Sequence, residues 1–332
     1  MKKEIRVADK KRGIVQVTIA DERWYMRQSE DKATGLPVFL AVPSVTWIAG
    51  HYPKGIGFYK WLADKGWDES QAIKQAAGDK GSKVHEAISA ILGGMEVRID
   101  SKFLNKTTGK SEELTLEEVD CIKSFIDWRT EFEKDYIIES IAWDMVVFSE
   151  IHNYAGTIDY IVRLTPKEDG KNPLKLTGPT PFVVDFKTSK QVWTEYELQV
   201  SAYREGIVNG ENPVYSRNEN GTEGKIIDMS GLRTAILQVG YNLNRAGWKW
   251  NMIEDKFSVF LAAQFIWKNE SSTQSPKVRD YPMVLAAGKP QEEFEYGDGD
   301  EVIEVDAPEV EEVELEQPTL TEEPKKATKK LK

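Results

Sequence analysis

PFVVDFKTSK, residues 181–190, is the stretch on which the fold turns. Four of its first six residues are large and apolar, which predicts a buried strand. Side chains alternate across a strand, so Phe182, Val184 and Phe186 share one face while Val183, Asp185 and Lys187 share the other. Helical spacing follows over 193–210 (WTEYELQVSAYREGIVNG), then a strand over 233–243 (RTAILQVGYNL) and a helix over 254–270 (EDKFSVFLAAQFIWKNE). A strand, a crossover helix and a return strand predict an α/β (α+β) domain, its central mixed β-sheet flanked by helices.

Upstream, 139–150 (ESIAWDMVVFSE) and 157–164 (TIDYIVRL) read as strands around a turn, and a polar loop over 165–180 leads into the opening stretch. The clearest helix is 114–136, where Thr115 and Glu118 predict a capping box and Leu116, Val119, Ile122, Phe125 and Ile126 recur at helical spacing. Residues 58–66 and 68–94 also read as helices, the second ended by a glycine pair. At the N-terminus, 13–26 (GIVQVTIADERWYM) and 36–48 (LPVFLAVPSVTWI) read as strands.

The net charge of −11 is unevenly distributed. Residues 291–332 carry fifteen acidic and five basic side chains, and the remainder is close to neutral. That last segment is acidic and of low complexity, too poor in apolar surface to offset its ordering entropy, so it is read as a disordered acidic tail behind a domain over 1–290. A near-neutral body leaves a nucleic-acid partner open. The single cysteine, Cys121, excludes a disulfide framework and an iron–sulfur cluster held within one chain. No stretch approaches a membrane span and no apolar leader is present, so a cytoplasmic protein without a membrane partner is expected, in the host cytoplasm if it is phage-encoded.

Asp185 and Lys187 place two charges at the end of an otherwise apolar strand. An isolated buried charge is costly, so such groups are normally paired or bound to metal. The same Asp-x-Lys tripeptide occurs at Asp9/Lys11, Asp100/Lys102 and Asp169/Lys171, all in polar surroundings, so context singles out 185–187. In YAGTIDYIVRL, strand alternation sets Asp159 opposite in direction to Ile158 and Tyr160, and Gly156 permits close backbone approach. Hairpin pairing with 181–187 would bring Asp159 and Asp185 together. Two such carboxylates repel unless a proton or cation intervenes, and a hard oxygen-ligated ion suits them: Mg²⁺, or Mn²⁺ if nitrogen joins.

The ordered set Gly-x-x-Asp (Gly156–Asp159), Asp-x-Lys (Asp185–Lys187) and Gln-x-x-x-Tyr (Gln199–Tyr203) resembles the PD-(D/E)xK nuclease superfamily. It is most similar to its RecB-type branch, which includes phage exonucleases and the mitochondrial genome maintenance exonuclease. Gly81 and His85 in GSKVHEA match that branch's upstream Gly-x-x-x-His, and Ser44–Thr46 match its Ser-Val-Thr segment. Lys80-Gly81-Ser82 departs from the branch's usual Arg-Gly-Thr, and the loop between the catalytic strands is longer than a tight hairpin. The resemblance implies a restriction-endonuclease-like core over about residues 75–270 and Mg²⁺- or Mn²⁺-dependent hydrolysis of DNA, with exonuclease action in phage-type recombination, replication or repair.

Carried onto this chain, the resemblance implies a metal held by Asp159, Asp185, the main-chain carbonyl of Phe186 and His85. Lys187 would orient the attacking water, and Gln199 and Tyr203 would position Lys187 or the nucleic acid. Glu150 is a further candidate carboxylate, although a solvated strand end explains it equally well. Tyr203 also fits a core stripe with Tyr196, Val200 and Ile207; His51 is read as structural and His152 has no assigned role. Lys80, Lys83, Lys190 and Arg204 are candidate phosphate contacts, and Trp193 a candidate base-stacking platform. Expected partners are DNA ends and a recombination or single-strand-binding protein. The competing reading is a catalytically silent DNA- or partner-binding protein on the same scaffold.

Overall fold

The chain opens with four strands, β1 (Lys3–Asp9), β2 (Ile14–Ile19), β3 (Glu22–Glu30) and β4 (Pro37–Pro43), which pair antiparallel in sequence order. Three helices follow: α1 (Val45–Ala49), α2 (Ile56–Lys65) and α3 (Trp67–Leu92). A small hairpin, β5 (Lys102–Leu104) with β6 (Ser111–Glu113), precedes helix α4 (Leu116–Asp135). Then come the long strands β7 (Tyr136–Ser149) and β8 (Tyr154–Pro166), the opening stretch as β9 (Thr180–Lys187), and helix α5 (Thr194–Val208). A second hairpin, β10 (Tyr215–Arg217) with β11 (Glu223–Ile226), leads to β12 (Arg233–Val239), β13 (Trp248–Ile253) and helix α6 (Phe257–Glu270).

This computed structural model describes residues 3–19, 22–30, 37–217 and 223–271, which lie within one compact unit, Met1–Val278. The expected tail and its boundary at residue 290 fall outside the described residues. Among the described residues no helix is long and apolar enough to cross a membrane.

The central sheet runs β13-β12-β9-β8-β7. Its strands β7, β8 and β9 pair antiparallel, β12 lies parallel to β9, and β13 returns antiparallel. The parallel pair requires a crossover, which α5 supplies, so the expected mixed α/β architecture is the one observed. The predicted alternation of β9 holds. Phe182, Val184 and Phe186 pack with α3 and α4 in one core cluster, while Val183 packs with α1, α5 and α6 in the other. Each large side chain so buried contributes roughly 1.5–3 kcal/mol.

Helix α4 starts as predicted: Thr115 and Glu118 close a capping box. Its buried stripe is rotated from the expected one. Leu116 and Ile126 are exposed, and Cys121, Ile122, Phe125, Trp128 and Phe132 face the sheet. Cys121 is buried there, and burial pushes its thiol up to about 11. The 36–48 stretch is not strand throughout: β4 ends at Pro43, and Ser44 begins α1 by accepting a hydrogen bond from Trp47 N–H at 3.1 Å. A short polar side chain at a helix start satisfies an amide the ladder would otherwise use, and here it outweighs the apolar run.

Helix α5 lies against β7 and β8 through two glycines. A methyl at Gly206 would sit 2.1 Å from Val147 Cγ1, and one at Gly156 would sit 2.6 Å from Tyr203 Cε1. Gly206→Ala is therefore expected to cost about 1–3 kcal/mol by overpacking, read as a lower urea midpoint with an unchanged slope.

Candidate active site

Strands β8 and β9 pair from Leu164↔Thr180 to Tyr160↔Val184 and then part. Beyond that point the Phe186 N–H donates to Asp159 Oδ2 at 2.8 Å, so a side chain replaces the next rung of the ladder. Strict alternation around Asp159 does not hold: Ile158 packs in the α1/α5/α6 cluster and Tyr160 in the α3/α4 cluster. With β9 no longer paired to it, Asp159 is held in the ladder by β7 alone and turns its carboxylate into the gap.

His85 comes from α3, next to the buried Val84. Its Nδ1 lies 3.2 Å from Asp159 Oδ1 and its Nε2 lies 2.8 Å from the Phe186 carbonyl oxygen. Both partners are acceptors, so full satisfaction requires both ring nitrogens to carry a proton. The electrostatics agree. Burial works against the charged ring, but the Asp159 carboxylate outweighs it and holds His85 above its usual range. Burial likewise opposes ionisation of Asp159, and the His85 charge and hydrogen bond reverse this, holding it below the usual carboxylate range.

Asp185 behaves oppositely. It is 1% exposed, and burial, with the Asp159 charge adding to it, pushes its carboxyl up to about 6 against the pull of Lys187. Lys187 Nζ reaches Asp185 Oδ2 at 2.5 Å as an ion pair, and the other carboxylate oxygen, Oδ1, has no hydrogen-bond partner. The ammonium also stands 4.6 Å from the centre of the Tyr196 ring, on the first turn of α5. One turn further, Gln199 Nε2 donates to Tyr203 OH at 3.0 Å, both side chains being buried.

No family model and no curated protein matches the chain.

His85, Asp159, Asp185, the Phe186 carbonyl and Lys187 thus meet at one point where the sheet opens, with Gln199 and Tyr203 behind them. Among the described residues, no three histidine, cysteine, aspartate or glutamate side chains form a preformed metal cage. The donors stand instead as two pairs, His85–Asp159 and Lys187–Asp185. A divalent cation nevertheless fits this donor set. Asp185 Oδ1 is buried with no hydrogen-bond partner, which is costly unless something else satisfies it, and the three oxygen donors suit Mg²⁺ or Mn²⁺, with the His85 imidazole able to join once it gives up a proton.

Glu150 is not brought to this cluster. It follows the end of β7, at the turn into β8, and pairs with Arg27 of β3. His51 bonds the Trp47 carbonyl through Nδ1 at 2.9 Å, in keeping with a structural role, and His152 lies 3.8 Å from Glu205 and against Phe257. Of the proposed phosphate contacts, Lys83 is buried against Glu118, Lys80 pairs with Glu117, and Arg204 with Asp255 and the Leu232 carbonyl. Lys190 and Trp193 are exposed. Ser44 fixes α1 to the sheet, bridging Ala155 of β8. A methyl at Gly81 would meet nothing within 4 Å.

Two groups escaped the sequence reading. Asp144 lies on β7 between Trp143↔Tyr160 and Met145↔Ile158, so the register puts it across from Asp159. Loss of surrounding water raises its carboxyl, with Asp159 adding to this and Ser89, Arg6 and His85 opposing it. Its signal was visible: a lone charge in the apolar run AWDMVV, the same anomaly that marked Asp185. Tyr196 was read as part of a core stripe, and its ring is instead the platform beneath Lys187.

Proposed function

We propose that the chain is a metal-dependent DNA nuclease that hydrolyses phosphodiester bonds, acting as an exonuclease. The observation that carries this reading is Asp185: a buried carboxylate beside Asp159, with Oδ2 at 2.5 Å from a lysine ammonium and Oδ1 left without a partner. A purely structural ion pair at a sheet rim does not call for a second carboxylate and an imidazole on the same point. The strand order, with two catalytic strands antiparallel and a crossover helix behind them, supports the resemblance drawn from the motifs.

Asp159, Asp185, the Phe186 carbonyl and His85 would hold the cation, which when bound supplies Lewis-acid polarisation of the phosphoryl oxygen and acidifies a coordinated water. Lys187 holds positive charge where the scissile phosphate gains negative charge, and Asp185 and Tyr196 fix its position. Asp159 is kept ionised by His85, ready to ligate. The Gln199–Tyr203 pair closes the rear of the site, and Gly156 lets the Tyr203 ring lie against β8.

Digestion of end-labelled linear DNA, single- and double-stranded, with closed circular DNA as the end-free control, tests the reading. Linear DNA should be degraded in Mg²⁺ or Mn²⁺ and spared in EDTA, with circles resistant. Intact substrate in the presence of every divalent cation would remove the enzyme reading and leave the silent binding protein.

A further inference from the structure

The N-terminal sheet lies outside every motif, yet it reaches the catalytic strand. Its register places Arg6 opposite Gln16, Gln16 opposite Tyr25, and Tyr25 opposite Val42, so one row of side chains crosses a single face. That face looks onto the central sheet, because Tyr25 and Val42 share a core cluster with Val146, Phe148 and Ala155.

The row is tied down by hydrogen bonds. Gln16 Nε2 donates to Tyr25 OH at 2.7 Å, and Tyr25 OH meets Thr157 Oγ1 at 3.1 Å. Thr157 lies two residues before Asp159 on β8. Tyr25 also lies close enough to influence Tyr203 at the rear of the site. At the free edge, Arg6 is exposed and acts electrostatically on Asp144, the carboxylate across from Asp159. Among the described residues the Arg6 side chain makes no ion pair and no hydrogen bond, whereas Lys80, Lys83 and Arg204 are all engaged.

We propose that this sheet is the second jaw of a nucleic-acid channel, in which Arg6 contacts a backbone phosphate next to the scissile one. The chain Gln16–Tyr25–Thr157 keeps the jaw in register with the carboxylates on β8 and β9. The ligand chemistry is that of a polyanionic strand: an exposed guanidinium with no ion-pair partner among the described residues, close enough to act on Asp144, is suited to a phosphate that bridges the two signs, with a cation on the other side. The inference rests on the nuclease reading and adds the surface that guides the strand.

Fluorescence anisotropy of labelled single-stranded and duplex oligonucleotides in EDTA, over a salt series, tests it without any turnover. Arg6→Ala is expected to weaken binding about three- to tenfold and to lower the log–log salt slope by about 1. Arg6→Lys should restore most of the salt slope, and Tyr25→Phe should weaken binding without changing it. Lys134→Ala, at the far end of α4, serves as the charge-loss control and should match wild type. If the wild-type protein binds and cleaves DNA and Arg6→Ala has the same Kd and slope, the second jaw is wrong and the nuclease reading stands. If the wild-type protein neither binds nor cleaves DNA, both fall.

Discussion

Lys187→Ala is expected to slow DNA hydrolysis by about 10²- to 10³-fold, the usual loss when one preorganised transition-state charge is removed. The ammonium is held between Asp185 Oδ2 at 2.5 Å and the Tyr196 ring at 4.6 Å, so its position is fixed before substrate arrives. The loss should therefore appear in single-turnover rate more than in DNA affinity. Lys187→Arg should not rescue it, because a planar fork cannot take the place of a compact ammonium in so enclosed a site. Circular dichroism and melting temperature separate a chemical defect from a folding one. Turnover within a few-fold of wild type in a folded variant would remove Lys187 from the chemistry.

Asp185→Asn is expected to abolish cleavage and, in EDTA at pH 8, to raise thermal stability. In the folded protein the Asp185 carboxyl is pushed up to about 6 by burial, whereas an unfolded aspartate titrates near 3.9. The native state thus binds this proton more tightly than the unfolded state. The ionised group destabilises the fold fully above about pH 6, and the penalty is relieved as pH falls through 6 toward 4. The ion pair with Lys187 offsets part of this penalty, so the expected rise in melting temperature is a modest one. The stability difference between the two proteins should shrink at pH 4.5. Adding Mg²⁺ should raise the wild-type melting temperature and leave the variant unmoved. A variant less stable than wild type at pH 8 without metal would show that Lys187 needs the carboxylate more than the core resents it.

Much of this architecture was legible because strand β9 carries two signals at once. Period-two burial located the core faces of β9, and the two charges that break the pattern located the site. Helix α4 was legible from its cap, but its buried face was misjudged, since Leu116 and Ile126 fit the spacing equally well and only the sheet's position decides between stripes. Asp144 was passed over because register is a property of two strands, and a bulge between Ser140 and Ala142 shifts which residues face each other. Glu150 could not be decided from sequence, where a site carboxylate and a solvated strand end fit equally well, because its partner, Arg27, comes from a separate sheet. The row from Arg6 to Tyr25 had no sequence signature, being assembled across three strands.

The parallel pairing of β9 with β12 has a consequence for synthesis. The strand bearing Asp185 and Lys187 sits in the middle of the sheet, and one of its two neighbours is made only once residues 233–239 have been translated. A ribosome paused before that point holds a polypeptide whose key strand has an open flank and whose phenylalanines lack the packing of Ala235, Leu237 and Val239. Half-made copies thus lack an assembled site, and the carboxylates and the ammonium are fixed together only when the tertiary structure closes.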